Sequence, residues 1–128
     1  MVWGQLSNGN KWTIRTNDGG ELRVEVAGGF HYGTTVLTDD EWHHVAVVLE
    51  DDGSPDVQET LLYVDGVSET TGASADEPIN TIADFDLHIG FDPMPGGENR
   101  SFLGLMDDVR IYDQALSQEQ IAKLAQPG

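Results

Sequence analysis

The final quarter of the chain, residues 102 to 125, constrains the fold most. It reads as a long strand with two carboxylates in its middle, followed by a short capped helix. Leu105, Val109 and Ile111 recur with the period of two that a half-buried strand demands. Phe102, Gly104 and Met106 form the opposite face, so the strand is apolar on both sides as far as Asp107. Such a strand is expected to be central, or covered on both faces. Ser117 stands three residues before Gln120, a capping box that predicts a helix over 117 to 125 with Ile121 and Leu124 on its apolar edge. Pro127-Gly128 ends it.

The rest of the chain alternates short strands with turn chemistry. Strands are expected at Val2 to Leu6, Lys11 to Thr16, Glu21 to Val26 and Phe30 to Val36, with turns at Asn8-Gly9 and Asn17-Asp18-Gly19-Gly20. In Glu21 to Val26 the alternation is clean: Leu22, Val24 and Val26 face one way, and Glu21, Arg23 and Glu25 the other. One side therefore meets the core and the other meets water or a partner. Trp42 to Leu49 is apolar on both faces and is expected to be central. Glu59 to Asp65 and Val67 to Thr70 form a hairpin around Asp65-Gly66. Residues 71 to 83 read as a loop or weak strand, Asp84 to Phe91 as a strand, and Pro93 to Asn99 as a Gly/Pro-rich surface loop. Many short strands, regular turns and one terminal helix predict an all-β fold, an antiparallel β-sandwich with one short C-terminal helix. The 128 residues support a single domain.

Charge excludes several partners. Twenty-three acidic residues against six basic ones leave a net charge of −17. Nucleic acid and anionic membrane surfaces both require basic patches, so neither is expected. The same charge suits cations, because clustered carboxylates are what calcium selects. No cysteine is present, which removes disulfide scaffolds and thiolate-ligated zinc. No apolar run approaches the roughly 20 residues of a membrane helix. Met1-Val2-Trp3-Gly4 lacks the pattern of a signal peptide, so the sequence leaves the compartment unknown.

Three segments, in order, carry a family resemblance. Glu41-Trp42-His43-His44-Val45-Ala46-Val47-Val48-Leu49 is similar to the central strand of laminin G-like domains of the concanavalin A-like jelly-roll superfamily, in their bacterial form. Leu62-Tyr63-Val64-Asp65-Gly66-Val67 resembles that family's hairpin, and the segment from Phe102 resembles its C-terminal signature. The resemblance implies a concanavalin A-like jelly roll and an extracellular or cell-surface setting. It implies a non-catalytic module that binds carbohydrate or an extracellular protein ligand in recognition or adhesion. Because fold does not dictate function, a structural domain acting through self-association stands as the alternative. The superfamily also contains glycoside hydrolases, whose paired carboxylates alternate along one strand facing the cleft. The nearest pattern here, Glu21, Arg23 and Glu25, places an arginine between the acids and reads as an ion-paired face, so no enzyme is expected.

Candidate site residues follow. A jelly roll binds through an open sheet or through rim loops, and sugar recognition needs an aromatic platform flanked by polar groups. Trp3, Trp12, Phe30 and Tyr32 supply aromatics, with Trp12 and Tyr32 chosen as ligand-binding candidates. Asp92, Glu98 and Asn99 are the rim candidates. The apolar parity shifts around Asp107-Asp108, which predicts a bulge there and makes this pair the candidate calcium site. The alternative is that Asp107 anchors backbone and Asp108 is solvated. His43 and His44 point to opposite faces of a strand and cannot grip one metal; packing with a satisfied ring nitrogen is expected. Family members usually lay down further strands before the segment that Val2-Trp3-Gly4 resembles. A sandwich without them exposes an open edge, and a homodimer is expected to cover it at Val2 to Leu6 or at the final strand.

Overall fold

The computed structural model describes residues 1–4, 10–81, 85–93 and 99–126. The Asn8-Gly9 turn, Leu6 and most of the expected loop from Pro93 to Asn99 lie outside these residues. The largest element is a six-stranded antiparallel sheet. The strands are β1 (Val2–Gly4), β2 (Lys11–Thr16), β3 (Glu21–Val26), β4 (Gly29–Val36), β8 (Ala73–Ala75) and β9 (Leu87–His88), in the order β8-β4-β3-β2-β1-β9. Facing it is a three-stranded antiparallel sheet, β5 (Val45–Val48), β6 (Leu61–Val64) and β7 (Val67–Ser68). A separate hairpin pairs β10 (Phe91–Pro93) with β11 (Asn99–Ser101). A 3₁₀ turn at Val57–Glu59 and the helix α1 (Gln118–Leu124) complete the chain.

Alternation in β3 builds the core. Leu22, Val24 and Val26 point inward and meet Leu62 and Val64 of β6 and Val57 of the 3₁₀ turn, while Trp12, Ile14, Leu37, Val47 and Ile79 close around them. The 3₁₀ turn is fixed by its own capping box: Asp56 accepts from the Gln58 amide at 2.9 Å, and Glu59 accepts from the Asp56 amide at 3.0 Å. The expected helix is present, with Ser117 at its N-cap and the reciprocal Ser117–Gln120 pair formed. Ile121 is fully buried. The helix packs so closely on the β6–β7 turn that a Cβ on Gly66, whose φ is +79°, would stand 2.9 Å from the Cα of Ala122. Glycine is required there both by conformation and by space.

Two expectations are corrected. Leu103 to Tyr112 is not a buried central strand. It belongs to no strand, and Leu103 is 95% exposed. Its chain is tethered at its start, where the Phe102 amide donates to the Gly90 carbonyl at 2.9 Å. The shift expected at Asp107-Asp108 takes the form of a left-handed residue, Asp108 with φ 53°, which breaks regular extension. Nor is Trp42 to Leu49 central. Its strand covers Val45–Val48 only and forms one edge of the small sheet, with Trp42 65% exposed. The two errors share one cause. An apolar pattern shows that a strand suits burial, but it becomes central only if strands lie on both sides. Among the described residues, 103 to 112 has no strand beside it and β5 has β6 on one side only.

Candidate functional site

The outward face of the six-stranded sheet gathers the polar and aromatic groups. Opposite residues in an antiparallel pair share a face. Arg23 lies opposite Tyr32, Glu25 opposite Phe30, Thr13 opposite Glu25, and Arg15 opposite Arg23. The rings of Phe30 and Tyr32, two residues apart on β4, stack with centroids 5.9 Å apart and planes 18° from parallel. The Arg23 guanidinium sits 4.2 Å from the centre of the Phe30 ring, within cation–π range. The small side chains of Ala73 and Ala75 flank the aromatic pair on β8, where Ala73 lies opposite Tyr32.

Glu25 organises the middle of this face. Arg23 donates to it through Nε at 2.7 Å and Arg15 through a terminal nitrogen at 3.0 Å. Burial alone would raise the Glu25 carboxyl, but the hydrogen bonds and charges of Arg15 and Arg23 outweigh it and hold the group below the usual glutamate range. The expected ion pairing is present between Arg23 and Glu25, with Arg15 as an additional member, while among the described residues Glu21 makes no ion pair. Two arginines on one carboxylate leave a net positive centre in a chain of net charge −17.

Asp92, a rim candidate, is buried and pairs with Lys11 at 2.9 Å, pinning the β10–β11 hairpin to the start of β2. The hairpin thus walls one end of the face, while the Phe30–Tyr32 end stays half-exposed. Tyr32 is on the face. Trp12 is not: it points inward with Ile14 onto the core, and its indole nitrogen is buried without a partner among the described residues. The parity of β2 carried that signal, since Lys11, Thr13 and Arg15 point out and Trp12 and Ile14 point in. Glu98 lies outside the described residues. Asn99 opens β11, and its side chain also lies outside them.

Asp107 and Asp108 are exposed and look to their own neighbours. Asp107 accepts from the Asp108 amide at 2.8 Å, and Arg110 grips Asp108 with Nε at 2.8 Å and a second nitrogen at 2.7 Å. Among the described residues, no three His, Asp or Glu side chains are placed to hold a metal ion.

A linkage that sequence reasoning missed lies at the opposite sheet. His43 Nδ1 contacts Asp65 at 2.8 Å and His43 Nε2 contacts Asp39 at 3.1 Å, while Asp65 also accepts from the His44 amide at 2.9 Å. Both His43 ring nitrogens are thus satisfied, as expected, but by two carboxylates that tie the segment before β5 to the β6–β7 turn; the His44 Nδ1 is buried and finds no hydrogen-bond partner among the described residues. Hydrogen bonds donated to Asp65 and then to Asp39 raise the His43 pKa above its ordinary value. A raised folded pKa means that the contribution is full below the unfolded value of about 6.5 and is lost as pH rises through the folded value. The melting temperature of His43→Gln should therefore fall furthest below that of the native chain near pH 5.5, with the gap closing by pH 8.5. A gap independent of pH would show that the imidazolium contributes nothing.

The comparisons agree with this architecture. The family described as the concanavalin A-like lectin/glucanases superfamily, in its laminin G form, matches residues 1–122. A crystal structure of an S-layer domain-containing protein from Clostridium thermocellum (residues 221–444) superimposes with a TM-score of 0.52 and 19% identity, covering 98% of this chain and 68% of that one. At that identity the likeness concerns the fold. No curated protein matches the chain.

Proposed function

The chain belongs to the laminin G-like family of the concanavalin A-like lectin/glucanases superfamily, and from that premise we propose that it is a non-catalytic carbohydrate-binding or adhesion module acting through the outward face of its six-stranded sheet. The carrying observation is the stacked Phe30–Tyr32 pair beside the Arg15–Glu25–Arg23 cluster. A sugar ring presents an apolar C–H face and a rim of hydroxyls. Flat aromatic surface receives the first, and a fixed carboxylate with guanidinium donors receives the second. The same cluster argues against hydrolysis. Glu25 is held ionised by two arginines, and a general acid needs a carboxyl whose pKa is raised. The structural neighbour from C. thermocellum is an S-layer domain-containing protein, which supports placing this module at a cell surface.

Glycan-array binding of the native chain and of Tyr32→Ala tests the proposal. Removing the platform should weaken binding of the retained glycans by about tenfold or more, corresponding to about 1.4 kcal/mol or more, with the melting temperature nearly unchanged. Absence of any retained glycan, or equal retention by the variant, would remove the proposal.

A further inference from the structure

We propose that the ribbon from Phe102 to Tyr112 is the contact surface of a two-fold homodimer, docking against the same ribbon of a second copy. Four observations carry this, independently of the sugar face. The first is apolar exposure. Phe102, Leu103, Leu105, Met106, Val109 and Ile111 are all exposed within one continuous stretch, with Leu103 at 95% and Leu105 at 78%. Scattered exposed hydrophobics need no explanation, but a contiguous run of this length marks an interaction surface.

The second is unsatisfied backbone. Among the described residues, positions 103 to 116 make no backbone–backbone hydrogen bond, and the ribbon belongs to no sheet. Unpaired backbone is a template for another chain, and closed two-fold pairing uses up that template in both copies at once.

The third is area. A folded monomer of 13.9 kDa is expected to expose about 6,700 Å², whereas this chain exposes 8071 Å², about 1,400 Å² more. A stable complex buries about 800 Å² on each partner, so the excess is sufficient for one such interface.

The fourth is charge, and it selects the occupant. Two copies at net −17 repel over most of their surfaces. The open edge strand β5 is flanked by Asp39-Asp40-Glu41 and Glu50-Asp51-Asp52, so pairing β5 with its own copy would bring acids against acids. Residues 99 to 112 are different. They carry Arg100 and Arg110 against Asp107 and Asp108, for a net charge of zero. A second copy can approach there without that penalty. The Arg110–Asp108 pair, formed within one chain at 2.7 Å, is also exposed and free to exchange across the two-fold axis.

Sedimentation of the native chain in low and high salt, beside the double variant Leu103→Lys, Leu105→Lys, tests the proposal. Both leucines are exposed, so the variant keeps the fold and its circular dichroism serves as the control. The native chain should sediment at twice 13.9 kDa at micromolar concentration, more completely in high salt as the remaining repulsion is screened. The variant should sediment as a monomer. A native monomer in both salts would overturn the proposal. A variant that stays dimeric would overturn it by placing the interface elsewhere.

Discussion

Asp92→Ala should lower the unfolding free energy by about 3–5 kcal/mol, the cost of breaking a buried ion pair by removing one partner. The Lys11 ammonium and the Asp92 carboxylate lie 2.9 Å apart with both side chains almost wholly out of water. Truncating Asp92 does not simply delete an attraction; it takes the Asp92 carboxylate from an ammonium held in a low-dielectric site. For a domain of this size the loss corresponds to a fall of roughly 10–20 °C in melting temperature. The double change Lys11→Met, Asp92→Leu should recover much of it, since replacing both charges removes the desolvation cost together with the attraction. Urea denaturation of the native chain, the single variant and the double variant measures all three. A single variant within about 1 kcal/mol of the native chain, as exposed pairs give, would show that water reaches the pair and that the β10–β11 hairpin is not held down through it.

The same pair illustrates what was legible in the sequence. β2 and β3 appear at the boundaries the alternation predicts, because each has one apolar face and one polar face, and only one register buries the apolar set. The helix also appears where its capping box places it, because that signal is local. What failed was neighbourhood. Val45 and Val47 lie opposite Val64 and Leu62, so both belong to the inward face of the small sheet, yet Val47 packs on the core while Val45 is 42% exposed. No local pattern distinguishes them.

The candidate site was half legible for the same reason. Phe30 and Tyr32 share a parity, as do Arg23 and Glu25, and pairing β3 with β4 brings the two sets together. The contribution of Arg15 requires knowing that β2 is the next strand. Three further contacts depend on long-range closure: Asp92 with Lys11, His43 with Asp65, and Glu69 with β4. Glu69 accepts from the Thr34 and Thr35 amides at 2.8 Å each and from the Thr35 hydroxyl at 2.6 Å. Burial opposes its charge, but these three donors prevail and hold its carboxyl below the ordinary glutamate range.

Leu62→Ala and Leu103→Ala remove the same atoms and should have opposite consequences. Leu62 is 2% exposed, stands on β6, and completes the cluster formed by Leu22, Val24, Val26, Val57 and Val64. Its truncation leaves a cavity between the two sheets and should cost about 2–5 kcal/mol, the lost transfer energy plus the cavity term. Leu103 is 95% exposed, and its truncation in the monomer should stay within about 0.5 kcal/mol of neutral. Alternation alone ranks the two leucines as equally suited to burial, so the contrast tests the described arrangement directly. Equal costs at high dilution would mean that the ribbon packs onto its own domain. If the ribbon is instead the dimer contact, the cost of Leu103→Ala should be absent at high dilution and grow with protein concentration, because association stabilises the native chain by mass action. The cost of Leu62→Ala should be present at every concentration.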